Sequence, residues 1–277
     1  MEVELLSGPE EFLSVTEEFR SSAPVLTNVL SSVPLGVAQG HRRYDACFWW
    51  VVRDRGRVCG AAMRTHPFAL LLSPMPEAAA RSLAGPISEH DPSLPGVHGP
   101  SRPVRSLVDA LAERRPQRQA TASGAQLIYE LGALTMPQVP GHGRRGTPDD
   151  EALAQRWNEL FHEELGGTHT PEAVAHRLRE GMTFFWDRGG RTVSLAGHAE
   201  PVDVPGGTLT RVGPVFTPRE ERRHGYAAAV TAALSRDLLD RGSRVMLYTD
   251  AANPTSNGVY QRLGYRQVGD VEIWEFL

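Results

Sequence analysis

Apolar and polar positions recur with helical spacing in some stretches of this 277-residue chain and with strand-like density in others. In the second half, Thr147 followed by Pro148 predicts a helix start, an N-cap with a first-turn proline. Leu153, Trp157, Leu160, Phe161 and Leu165 fall on one face, and Gly166–Gly167 marks the stop. Thr170–Pro171 opens a second helix that stops before Gly181. Three apolar runs read as strands: Thr183–Trp186, Thr192–His198 and Thr208–Phe216. The turn Asp187-Arg188-Gly189-Gly190 joins the first two. A long helix follows from about Gly225 to Arg241, with Tyr226, Val230, Leu234 and Leu238 at spacing four. Val245–Thr249 reads as a buried strand, Ser256–Leu263 as a short helix and Tyr265–Phe276 as a strand pair.

The first half begins in the same way. Phe12, Val15 and Phe19 mark one helix and Val25–Val33 another. Strands are predicted at Cys47–Arg53, Arg57–Arg64 and Pro67–Leu72. The turn Asp54-Arg55-Gly56-Arg57 echoes Asp187-Arg188-Gly189-Gly190-Arg191 at an offset of 133 positions. After Leu72 the halves diverge. Ala84–Pro103 is rich in Pro, Gly and Ser without periodicity and reads as a long loop or lid. A helix at Val104–Glu113 and a strand at Gln126–Leu134 complete this half. The expected division is therefore residues 1–137, a Pro- and Gly-bearing linker at 138–146, and residues 147–277.

Composition narrows the class. With 40% apolar and 22% charged residues and a net charge of −4, the chain has enough apolar material for a full core and too little charge imbalance for a disordered one. Mild acidity argues against nucleic acid or an anionic membrane as partner, since both call for a basic face. No apolar run approaches the roughly 18 residues of a membrane span. The start, MEVELLSGPE, lacks the features of a signal peptide, so a cytoplasmic location is expected. Cys47 and Cys59 are too few for a disulfide scaffold and carry no metal-ligand spacing, so no metal is expected. All 29 basic residues are arginine, which leaves no lysine for Schiff-base chemistry or self-acylation.

The chemistry concentrates in Val212–Ala229, VGPVFTPREERRHGYAAA. A strand ends at Phe216 and a helix begins near Gly225, so unpaired backbone N–H groups and the positive end of the helix dipole converge there. Gly225 lets an anion approach the backbone, Ala227 keeps the next turn small, and Arg222 and Arg223 add charge suited to a diphosphate. Glu220 and Glu221 fit a plain loop-to-helix junction instead. A second cluster, from Asp250 to Tyr265, follows the buried strand directly. Asn253 in it also suits a helix cap, and Tyr260 a core aromatic beside Leu263.

Together these segments resemble the GCN5-related N-acetyltransferase (GNAT) superfamily, most closely its FR47-like branch. Arg222-x-x-Gly225-x-Ala227 matches the family's acyl-CoA pyrophosphate loop. Asn253-Pro-Thr-Ser256-Asn257-x-x-Tyr260-x-x-Leu263-Gly264-Tyr265 matches its second CoA motif. The match covers about Val212–Gly269, and the element order carries it back to about Thr147. The resemblance implies an α/β (α+β) fold with a mixed, mostly antiparallel sheet, the second half being catalytic. It makes the first half a degenerate GNAT-like domain, as in tandem acetyltransferases. It also implies that the splayed ends of Val212–Phe216 and Val245–Thr249 admit pantetheine. Val215, Phe216, Thr217, Arg222, Arg223, His224, Gly225, Tyr226, Ala227, Asn253, Ser256 and Asn257 would hold the donor. Tyr260 corresponds to the family's general acid.

The implied activity is acetyl transfer from acetyl-CoA to a small-molecule primary amine, by direct attack on the thioester, in a monomer or homodimer. The alternatives are a non-catalytic CoA or acyl-CoA sensor or scaffold, and a GNAT using another acyl donor. Many relatives carry a glutamate on the fourth strand as base. Here Thr208–Phe216 has Arg211 as its one ionisable residue, and His198, Glu200, Asp203 and Asp250 are neighbours among which spacing does not choose. In the first half, His41, Arg42, Arg43, Trp49, Trp50 and His66 are candidates for an acceptor pocket.

Overall fold

The run Cys47-Phe48-Trp49-Trp50-Val51-Val52 is apolar on both faces of a strand, which demands helices on both sides of its sheet. The computed structural model, which describes residues 1–165 and 170–277, has that arrangement. The helix stop expected at Gly166–Gly167, and the side chain of Leu165, lie outside the described residues. Contacts divide the chain into two compact units. One comprises Met1–Ile128, Thr249–Asn253 and Val268–Leu277, the other Tyr129–Tyr248 and Pro254–Gln267. This division interleaves along the chain, whereas the sequence predicts a contiguous boundary at residues 138–146.

The first unit starts with β1 (Glu2–Leu6), α1 (Pro9–Val15), α2 (Glu17–Ser22), α3 (Asn28–Ala38), β2 (Cys47–Asp54), β3 (Arg57–Thr65) and β4 (Leu70–Leu72). It continues with α4 (Glu77–Ser82), α5 (Ala84–His90), β5 (Gly96–Gly99), α6 (Ser101–Arg114) and β6 (Ala120–Leu131), whose last residues count with the second unit. β1, β2, β3 and β4 pair antiparallel in turn, and β5 joins β4 in parallel through Leu70↔Val97 and Leu71↔His98. Alternation sorts β2 between two cores. Trp50 and Val52 pack with α4, α5 and α6, while Trp49 and Val51 pack with Phe12 of α1 and Leu30 and Val33 of α3. Both tryptophans are thus core residues, not pocket lining. Arg64 and Asp91, each 2% exposed, form a buried ion pair at 2.8 Å.

Three expectations for this unit need correction. The single helix around Phe12–Phe19 is two, broken at Thr16, whose hydroxyl donates to the Phe12 carbonyl at 2.6 Å. Ala84–Pro103 is not a loop. It contains α5 and β5 and leads into α6, because Pro86 sits in the first turn of its helix, where it removes no helical bond. The glycine content disguised β5, where a Cβ on Gly99 would lie 2.8 Å from the Leu72 carbonyl oxygen. That close approach keeps β4 and β5 together to the end of their pairing. The strand pair predicted at Tyr265–Phe276 is one strand, here β13, whose Glu272–Glu275 pair with Gly96–Gly99 of β5.

The second unit contains β7 (His142–Arg145), α7 (Glu151–Leu165), α8 (Pro171–Arg179), β8 (Thr183–Arg188), β9 (Arg191–His198), β10 (Val202–Val204) and β11 (Gly207–Phe216). Then come α9 (Tyr226–Asp240), β12 (Ser243–Asp250, its last two residues counted with the first unit), α10 (Pro254–Arg262) and the start of β13 (Tyr265–Phe276). The strand order is β12-β11-β9-β8-β7, with β10 beside β11. As in the first unit, antiparallel neighbours end in one parallel pair, β11 with β12. β7 occupies part of the expected linker. Its polar sequence hides it, and Arg144 secures it by bonding Asp150 at 2.7 Å and Asp187 at 2.7 Å. Trp157 of α7 and Val174 and Leu178 of α8 meet Phe185, Leu195 and Phe216 on one face of the sheet. α9 covers the other face, where Arg145 bonds Asp237.

Candidate functional site

β11 and β12 pair in parallel from Thr208↔Ser243 to Val212↔Leu247, and the pairing stops there. Beyond Val212, β11 bulges before it resumes contact with β9 at Val215↔Ala196 and Phe216↔Leu195. A bulge with a glycine and a proline, Gly213–Pro214, bends the strand. Among the described residues, the β12-facing edge of Gly213–Phe216 has no strand partner. Tyr248 is the first β12 residue past the paired segment. Desolvation pushes its phenol up, opposed by the charge of Arg211. Tyr248 follows the buried apolar run Val245–Leu247, so its sequence position reads as one more core residue.

The chain then turns through Thr217–Gly225 into α9. Gly225 is the N-cap at φ +83°, and Arg223 also has a positive φ of 66°. The first helical bond at this end runs from the Ala229 N–H to the Gly225 carbonyl at 3.0 Å. Among the described residues, the N–H groups of 223–228 donate to no backbone carbonyl. Such a run, with two residues in the left-handed region at the positive end of a 15-residue helix, has a geometry that suits an anion. A Cβ at Gly225 would stand 3.0 Å from Val139 Cγ2, close enough that the Val139 side chain would have to shift by a few tenths of an ångström.

Side chains from three distant segments hold this loop. Glu164 of α7 accepts from Arg222 at 2.9 and 2.7 Å and from Arg219 at 3.1 Å. These bonds, that from Arg222 foremost, hold its carboxyl below the usual range. Arg222 Nε also donates to the Thr217 carbonyl at 2.9 Å. Arg191 of β9 bonds Glu221 at 2.6 Å, and Arg188 donates to the Tyr226 hydroxyl. His224 stacks on the Tyr226 ring at 5.4 Å. Thr217, almost buried, shares a 2.8 Å hydrogen bond with Ser194. Phe216 lies 5.9 Å from Trp157, so its side chain belongs to the core and its backbone is what faces the gap. Val215 and Ala227 are half-buried.

Tyr260, on α10, is half-buried and meets Tyr265 edge-on at 5.9 Å. Its hydroxyl bonds no described residue, and desolvation pushes its phenol up to about 12. Tyr265, by contrast, shares a 2.7 Å hydrogen bond with Ser235 and is buried. Ser256 and Asn257 lie on the same helix as Tyr260, while Asn253 belongs to the segment grouped with the first unit.

The candidate bases are differently placed. His198 is buried, with Nδ1 donating to the Ala199 carbonyl at 2.7 Å, and desolvation pushes its pKa down. Glu200 is paired with His176 at 2.9 Å. Asp203 lies on β10, and Asp250 accepts from the Ala252 N–H at 2.8 Å. Cys59 donates to the Val52 carbonyl, and desolvation raises its thiol pKa, which is the opposite of an activated nucleophile. Among the described residues, no helix is long and apolar enough to cross a membrane.

Residues 192–275 match the model of the FR47-like protein family. No curated protein matches the chain. Several solved structures share its fold. A GNAT-family acetyltransferase from Colwellia psychrerythraea is 13% identical, with both chains covered in full and a TM-score of 0.60. A GCN5-related N-acetyltransferase from Sphaerobacter thermophilus is 14% identical over 98% of this chain and 94% of its own, with a TM-score of 0.64. A tandem GNAT protein of the clavulanic acid biosynthesis pathway is 15% identical over 99% and 98%, with a TM-score of 0.55.

Proposed function

We propose that this chain, whose residues 192–275 match the FR47-like model and whose fold is shared with GNAT structures, is an acyl-CoA-dependent N-acyltransferase. We assign acetyl-CoA as donor and a small-molecule primary amine as acceptor. The observation that carries this reading is the unpaired N–H run at residues 223–228, next to a β11 edge without a strand partner. That cradle suits a diphosphate, and an open strand edge suits the amide groups of pantetheine, which pair with it much as an added strand would.

Acetyl-CoA supplies an electrophilic thioester carbon and a thiolate leaving group. The loop Arg222–Ala227 binds and orients its diphosphate end. Tyr260, with its phenol at about 12, holds its proton throughout the physiological range and is always ready to donate a hydrogen bond. Full transfer to a thiolate whose conjugate thiol has a pKa of about 8.5 is uphill by roughly 5 kcal/mol. Tyr260 therefore acts by hydrogen-bonding the developing thiolate, with solvent as the final proton source. β11 offers no carboxylate, so the amine gives up its proton through water.

The test is calorimetric titration with acetyl-CoA and CoA, followed by an assay of CoA release across amines, amino acids and aminosugars. Donor binding without CoA release from any acceptor would refute the enzyme. The missing β11 carboxylate favours a second reading, a CoA-binding sensor. Tyr260→Phe separates the two. An enzyme loses rate by about 10²- to 10³-fold, as for one lost hydrogen bond to developing negative charge, with donor affinity kept, whereas a sensor keeps its full ligand response.

A further inference from the structure

The inference here rests on the donor reading above and concerns how two adjacent arginines serve it. Arg222 is committed. Three hydrogen bonds tie it to the Thr217 carbonyl and both Glu164 oxygens, and its guanidinium lies 6.0 Å from the Phe216 ring centroid. Arg219 reaches the same carboxylate. Arg223 is exposed, bonds no described residue, and holds a positive φ within the run of unpaired N–H groups. A guanidinium has five N–H donors in a fixed fork, and three of those on Arg222 are in use.

We propose that the two residues divide the work. Arg222, clamped by Glu164, is a positioning residue that braces the loop between β11 and α9, and Arg223 supplies the charge that meets the diphosphate. The two possible roles of Arg222 have opposite consequences at Glu164. If Arg222 met the diphosphate directly, Glu164 would be a competing anion and its removal would tighten binding. As a clamp, its removal lets the loop drift and weakens binding.

The experiment is calorimetric titration of the full chain with CoA at low and high ionic strength. It uses the wild type, Arg223→Gln, Arg222→Gln, Glu164→Gln, Glu164→Asp and the Glu164→Gln/Arg222→Gln double variant. Arg223→Gln should weaken binding about tenfold and flatten its salt dependence, because a charge with no ion-pair partner among the described residues acts on the ligand through a screened field. Arg222→Gln and Glu164→Gln should each weaken binding roughly three- to tenfold with the wild-type salt dependence. The double variant should be no worse than either single one, the mark of two groups acting as a unit. Glu164→Asp should recover most of the affinity.

Tighter binding by Glu164→Gln, a flattened salt dependence in Arg222→Gln, or wild-type behaviour in Arg223→Gln each overturns the division. Arg223 is exposed, so its variant keeps the fold even where a clamp variant does not, and its salt dependence then decides. No heat from the wild type with CoA overturns the donor reading itself. Wild-type binding with any of the contrary results overturns the division alone.

Discussion

Replacing Gly225 by valine tests the proposed diphosphate loop at the start of α9. The residue sits at φ +83°, and its missing Cβ would lie 3.0 Å from Val139 Cγ2. For an L residue the left-handed conformation costs about 1–2 kcal/mol, and a β-branched side chain adds crowding of its own. The variant can keep the backbone and lose about 2–3 kcal/mol of stability. It can otherwise relax φ, which turns the flanking peptide planes so that their N–H groups no longer converge. Two hydrogen bonds to a charged group, at about 1.5–3 kcal/mol each, would then be lost. CoA affinity should fall about 100-fold or more, measured by calorimetry. Thermal unfolding reads the first outcome as a drop of several degrees, at about 2–4 °C per kcal/mol for a domain of this size. Gly225→Ala should fall between wild type and valine. CoA affinity within threefold of wild type at an unchanged Tm would show that no diphosphate is held at the start of α9.

Other expectations concern the scaffold. Asp91→Ala strands the buried Arg64 guanidinium and should destabilise by about 3–5 kcal/mol, seen in chemical denaturation; a loss under 1 kcal/mol would contradict the pairing. Asp150, whose pKa the Arg144 hydrogen bond lowers to about 2, stabilises the fold above its unfolded value and stops doing so as pH falls through its folded one. Asp150→Asn should therefore cost about 2 kcal/mol at neutral pH and show no added loss between roughly pH 4 and 2. His98 is held down at about 4 by desolvation, so the unfolded chain takes up a proton first as pH falls below 6.5. Since the ring is partly exposed, this should remove about 1–3 kcal/mol between pH 6.5 and 4, a decline that His98→Leu should flatten. An unchanged pH profile in that variant would count against a desolvated imidazole.

Elements with strong local patterns were legible in the sequence. The spacing-four face of α9 and the Thr-Pro start of α8 each state their structure within a few residues. β7 and β5 were not, since His-Gly-Arg-Arg and Gly-Val-His-Gly take strand form from their neighbours' hydrogen bonds and not from propensity. The final strand, expected as a strand pair, is a single strand because Glu272–Glu275 pair with β5, a partner remote in sequence. The same distinction runs through the candidate site. The loop-to-helix junction at Gly225 is local and was read directly. Glu164, Arg188 and Arg191, which hold the loop, are remote in sequence, and no spacing rule links them to Arg222, Tyr226 or Glu221. Arg222 itself illustrates the limit. Its motif position implied a phosphate contact, and its partners could be seen only in three dimensions.

The pairing of Gly99 with Glu272 has a consequence for how the chain is made. During synthesis at about 5–20 residues per second, β5 emerges roughly 9 to 35 s before the strand that completes its edge. Throughout that interval its backbone N–H and C=O groups on one side are unmatched, the condition under which an exposed strand recruits the wrong neighbour. The first unit to be translated is therefore the last to close its sheet. Substitutions in Val271–Phe276 should lower the yield of correctly assembled protein more than they lower the stability of the molecules that do assemble.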